Sequence, residues 1–289
     1  MTPPKLLISE FSTLNFRTDW RLEFQYPTRY VQRLLRTDVI DTQYVVSGDF
    51  QGALRVVLFD GSGSVLAHAT GTELGPIDSG TAYRADWPEG TFPLPCGCYT
   101  MAFGLQPYNL ILASAPFRVV DELPDSVLFE VANDEDEFGT VFSGQQFRFR
   151  AEAVWLPADA AFQSENQTFR DQNGTLHQLS STPYETRVLT VGGGVSTVGV
   201  PNWVGRKVNK LLACSAVTID GAAYARSEGA GVERTDIADN WPLFLYKVNL
   251  EPADDTLALP LPQQWLLAAE DGRIITTEDG KAIDIFPHN

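Results

Sequence analysis

The chain has little of what covalent or metal-bound sites are made from. Its 289 residues include three cysteines, three histidines and two methionines. Cys96 and Cys98 sit so close together in PCGCY that a mutual bridge would be strained, and Cys214 makes the count odd, so no disulfide framework is expected. His68, His177 and His288 are far apart and none has a second His or Cys at ligand spacing, which leaves a zinc motif without support. Positive charge is also scarce. The 21 Lys and Arg against 37 Asp and Glu give a formal charge of -16, which repels polyphosphate and argues against nucleic acid or an anionic membrane as the main partner.

Long apolar runs are missing as well. Nothing approaches the roughly 18 residues that a spanning helix needs, so no membrane insertion is expected. The opening MTPPKLLISE holds only Leu6, Leu7 and Ile8 as consecutive apolar residues, too few for a secretory core. The expectation is a chain made and kept in a cytosol, unless it leaves the cell by lysis or as part of a particle. Nucleophile motifs are lacking too. There is no Ser in a G-x-S-x-G context, and no histidine between Gln178 and Ile285 to activate Cys214, which reads as a small core residue. With so many acidic residues, a carboxylate pair for glycoside hydrolysis could be picked anywhere and would carry no information. The chain is therefore read as a non-enzyme with no cofactor.

What is plentiful is Gly (23), Pro (18) and Phe (17), the composition of many short strands and turns. Between Phe11 and Phe50, pieces such as WRLEFQY and TQYVVSGDF alternate apolar and polar residues as strands do. Ala53 to Phe59, the turn residues Asp60 to Gly63 and then Ser64 to Ala69 predict a hairpin; no helix follows those glycines, so they do not cradle phosphate. Cys98 to Phe103 and Leu110 to Val120 complete a first β-domain, residues 1–122. The polar, proline-bearing DELPD at Asp121–Asp125 marks a boundary.

Residues 126–251 read as a second β-domain. Val127 to Val131 is a strand, and NDEDEFG after it is a solvated turn in which Asp134 and Asp136 are weak calcium candidates, since the cluster lacks spaced EF-hand ligands. FRFRAEAVW, Phe147–Trp155, alternates most cleanly, with Arg148, Arg150 and Glu152 on its polar face. Asn173-Gly174 marks a tight turn and Tyr184 to Val191 a strand. The glycines 192–194 do not make a dinucleotide loop, because Val195 to Val200 intervenes and Pro201 delays the helix. That helix is predicted near 201–212, with Val204, Val208, Leu211 and Leu212 on one face. A hairpin turning at Asp220-Gly221 and a closing strand, Trp241–Leu250, follow.

Residues 252–289 combine a proline-rich linker with an eight-residue repeat, Glu270-Asp271-Gly272 followed by Ile274, then Glu278-Asp279-Gly280 followed by Ile283. Two short strands joined at these turns would form a β-ribbon that is unstable alone and needs a partner surface. The predicted architecture is mainly β: two sandwich-like domains, the second with one short helix, and a C-terminal ribbon.

The runs NDEDEFGTVF, FRDQNG, VGVPNWVGRKVNKLLACSAVTIDGAAYARSEGA and WPLFLYKVNLE resemble tail-region virion proteins of Bacteroidetes phages and prophages. The likeness covers Val127 to Glu251 well and the first domain loosely, and it brings no catalytic motif. It implies a structural tail protein, at the tip, baseplate or a tail-associated ring, whose partners are other tail proteins and copies of itself. A host surface glycan is the alternative partner, for which Trp87, Tyr99, Trp155, Trp203 and Trp241 are available. In a β-domain such aromatics more often belong to the core.

Overall fold

Alternation of apolar and polar residues over short runs yields strands, and among the described residues the protein is mainly β with one helix. The computed structural model describes residues 5–16, 30–47, 54–78, 80–105, 110–136, 140–156, 161–194, 199–227, 229–239 and 241–253. They belong to one compact unit, Met1–Ala253. The first lobe contains β1 (Lys5–Ile8), β2 (Gln32–Leu35), β3 (Gln43–Ser47), β4 (Leu54–Asp60), β5 (Val65–Ile77), β6 (Gly80–Asp86), β7 (Gly97–Leu105), β8 (Leu110–Ala113) and β9 (Phe117–Val120). They form one sheet in the order β1-β3-β6-β5-β4-β7-β9-β2, with β8 also on β7. Its pairings are antiparallel except β2 with β9. The long β5 pairs with β4 through its first residues and with β6 through the rest, so it carries the sheet around a bend. Leu58, Met101, Phe103 and Phe117 fill the inside.

The chain passes to the second lobe between Val120 and Ser126, at the boundary that DELPD marks. There follow β10 (Ser126–Ala132), β11 (Phe147–Trp155), β12 (Ala161–Arg170), β13 (Leu176–Val191), the helix α1 (Asn202–Leu211), β14 (Ala216–Ile219), β15 (Ala222–Arg226), β16 (Glu233–Asp236) and β17 (Phe244–Pro252). Here the sheet closes on itself. The pairings run β10-β11-β13-β17-β15-β14 and back to β10, an antiparallel barrel that consumes its own edges. Phe129 sits opposite Phe149 in the β10–β11 register, and both rings are buried inside. Asp220 and Gly221, at φ 51° and 81°, make the tight turn between β14 and β15.

Val204, Val208, Leu211 and Leu212 all join the barrel core, so the amphipathic face read from the sequence is the packed one. Pro201 caps the helix in an extended conformation, just before the first turn. Gly205 permits the close approach of α1 to β17: a Cβ there would lie 2.3 Å from the Tyr246 ring. That ring is held by its hydroxyl, which donates to Asn202 Oδ1 at 2.9 Å.

Candidate functional site

The polar face of β11 is the seam between the lobes. Arg150 grips Asp38 with a two-pronged ion pair, Nε to Oδ2 at 2.7 Å and Nη2 to Oδ1 at 2.8 Å. The two side chains are only 10% and 7% exposed. Arg33 reaches the buried Glu152 at 2.6 Å. Burial, reinforced by the Glu152 charge, holds the Tyr30 phenol far above its ordinary pKa, so it stays neutral. Arg148 pairs with Glu130 across the β10–β11 ladder, while its carbonyl accepts from Thr13 Oγ1.

The segment 9–16 threads between the lobes. Phe11 leaves the first lobe and inserts its ring into the barrel core, 4.9 Å from Phe142 and 5.8 Å from Phe147 between centroids. Ser9 bonds Thr140 at 2.7 Å. The Gln43 side-chain amide treats Val141 as a strand neighbour, donating to its carbonyl at 2.9 Å and accepting from its N–H at 2.7 Å. Lys207, on the buried face of α1, donates to the Ser12 carbonyl and lies 4.6 Å over the Phe149 ring. Burial lowers the Lys207 amine to about 7. These contacts join groups far apart in sequence and make the seam a buried interface.

The most exposed feature is the hairpin of β12 and β13. Ten residue pairs, from Ala161–Thr186 to Arg170–Leu176, run out from the barrel, and a bulge between Gln167 and Thr168 leaves Leu179 as the extra residue. Its described side chains from Gln163 to Ser181 are exposed apart from the half-buried Asp171. Phe169, Leu176 and Leu179 stand in solvent at 52%, 57% and 67% exposure. The tip is braced internally. Asp171 accepts the Asn173 and Thr175 N–H groups at 2.9 Å and contacts His177 Nε2 at 3.0 Å, which keeps its carboxyl below the usual range, and His177 stacks on Phe169. β12 ends the sheet order, so its outer edge is unpaired among the described residues.

The residues singled out by sequence fall in several places. Asp136 accepts the Phe142 and Ser143 N–H groups at 2.7 and 3.3 Å. Asp134 is exposed, its N–H donating to Ser215 Oγ. Among the described residues no group of three His, Cys, Asp or Glu is arranged to hold a metal ion. Glu270, Asp271, Gly272, Ile274, Glu278, Asp279, Gly280 and Ile283 lie outside the described residues. Of the aromatics, Tyr99 and Trp203 are buried, Trp155 stacks on Tyr224, Trp87 is half-buried and Trp241 is exposed. Cys214 is half-buried and directs its thiol at the Lys210 carbonyl.

The projecting ribbon gave little warning in the sequence. Gln163 to Leu179 is mostly polar, and its Phe169, Leu176 and Leu179 do not alternate into a stripe that betrays a strand; the Asn173-Gly174 turn is its one signal. No protein-family model, curated protein or solved structure matches this chain.

Proposed function

We propose that this protein is a structural component of a bacteriophage tail that assembles in several copies through its strands. The observation that carries this reading is the β12–β13 ribbon. A two-stranded ribbon is marginal in water by itself. An open edge with exposed large apolar side chains is a pairing liability that monomeric proteins usually blunt. Covering Phe169, Leu176 and Leu179 with a neighbouring subunit removes that liability, and strand addition to β12 supplies backbone hydrogen bonds at the same time. The barrel and the buried seam provide a rigid base from which such an arm can reach. The resemblance of Val127 to Glu251 to phage tail proteins supports the setting. On this reading the protein resides in the virion, bound to other tail proteins and to copies of itself, and catalyses nothing.

Immuno-electron microscopy on particles released from a strain that encodes the protein tests the setting. Gold label on tails is the expected result. Protein found in the cleared lysate, with particles unlabelled and free of its peptides by mass spectrometry, would remove the virion assignment.

A further inference from the structure

A concave site lies at one end of β3 and β6, where the first lobe meets the loop before β11. Gln43 pairs with Arg84 in the β3–β6 register, and the bond from the Ala85 N–H to the Thr42 carbonyl at 2.9 Å continues that ladder. The continuation brings Asp41 beside Asp86. Both belong to the lining of a cleft of about 410 Å³, which also takes in Arg84, Trp87, Phe92 and Gln145. That volume is in the range of small-molecule sites.

The lining has a particular chemistry. Arg84 donates to Asp86 at 2.7 Å and to Gln145 Oε1 at 3.0 Å, so three planar polar groups are held in one array. Trp87 is fixed by its indole N–H on the Ile40 carbonyl at 3.3 Å and by an edge-on contact with Phe92, centroids 6.1 Å apart at 86°. Both rings are only half-buried. The Asp41 carboxyl makes no hydrogen bond to any described side chain or backbone group. Burial raises it to about 6, although Arg148 and Arg84 pull it down. Of those two arginines only Arg84 lines the cleft, against Asp41 and Asp86, while Arg148 pairs with Glu130, so the cleft disfavours an anionic ligand. The chain as a whole, at -16, repels anions.

We propose that this cleft binds a neutral saccharide, with the Trp87 and Phe92 rings against the apolar C–H surface of a sugar and Asp41, Asp86, Arg84 and Gln145 on its hydroxyls. A sugar presents alternating donors and acceptors around a flat apolar patch, and planar amides, carboxylates and guanidinium groups beside an aromatic ring match both features. Asp41, desolvated and without a hydrogen-bond partner among the described residues, is the acceptor that a hydroxyl would satisfy. The site is independent of the assembly arm, so either proposal can fail without the other.

Saturation-transfer NMR on the full chain tests it, with cellotriose, maltotriose and triacetylchitotriose as neutral probes and sialyllactose as the anionic control. The expected result is transfer to at least one neutral probe and none to sialyllactose. Trp87→Ala should weaken that binding about tenfold or more, the equivalent of ~1.4 kcal/mol. Because Trp87 also packs against the first core, Gln145→Ala on the adjoining loop is the second variant; it should weaken binding several-fold while the protein stays folded, its melting temperature lowered by no more than the few degrees that losing the Arg84 hydrogen bond costs. No transfer to any neutral probe at about 10 mM would overturn the proposal. So would transfer that survives both substitutions, or sialyllactose binding as well as the neutral probes.

Discussion

Arg150→Met lowers stability by about 3–5 kcal/mol, because it strands the Asp38 carboxylate in a dry seam. The pair is two-pronged and nearly solvent-free, and its partners lie 112 residues apart in the chain, so water does not take over the lost bonds as it would at a surface. The cause is an unpaired buried charge, so the double variant Arg150→Met, Asp38→Leu recovers most of the loss: two apolar side chains leave no stranded charge, and the Leu35 N–H, which Asp38 Oδ2 accepts at 2.8 Å, is the group that loses a partner. Urea unfolding followed by fluorescence and far-ultraviolet dichroism measures both. The two probes should give one coincident transition in every variant, because Phe11, Gln43 and the ion pair tie the lobes into one unit. A loss below about 1 kcal/mol for the single variant would mean that water reaches the seam.

Lys207→Met has the opposite sign. The amine sits in the buried face of α1 against the Phe149 ring, and desolvation brings it from its ordinary value to about 7. A base with a folded pKa below its unfolded one binds fewer protons when folded, so stability rises with pH between about 7 and about 10 and is lowest below 7. The span corresponds to several kcal/mol, of which the bond to the Ser12 carbonyl returns a part. Methionine fills a similar volume without a charge. The variant should therefore be more stable than the native chain at pH 6 by about 2 kcal/mol, and its stability should no longer climb between pH 7 and 10. Unfolding midpoints across that pH range decide it. A destabilised Lys207→Met at pH 6 would show that the Ser12 bond outweighs the burial of the charge.

Much of the fold was legible because it is written in short periods. β10 and β11 announce themselves by alternation, α1 by its four-residue face, and the Asp220-Gly221 turn by the need for positive φ at two successive positions. What could not be read depends on distant partners. Nothing near Phe11 says that its ring belongs to the barrel, and nothing near Arg150 says that its polar face is buried against Asp38. Closure of the barrel rests on β13 meeting β17, a pairing that single-strand periodicity does not encode. Lys207 interrupts an apolar stripe that its neighbours Val204, Val208 and Leu211 define, and only the packed structure shows that it goes inside with them. The same holds for the candidate sites. The arm has no alternating apolar stripe for a pattern to reveal, and Asp41, ordinary in sequence, becomes distinctive only where burial and the β3–β6 ladder set it beside Asp86.

Self-assembly through the β12–β13 arm is the central claim, and the mass of the full chain in solution tests it most directly. Sedimentation velocity over a range of concentrations should show a reversible oligomer well above the 31.9 kDa of one chain. Replacing Phe169, Leu176 and Leu179 together by serine should return it to that mass with an unchanged unfolding midpoint, since these side chains touch solvent and not the core. An oligomer that persists unaltered in the triple variant, or a native chain that stays monomeric at every concentration, would contradict the account.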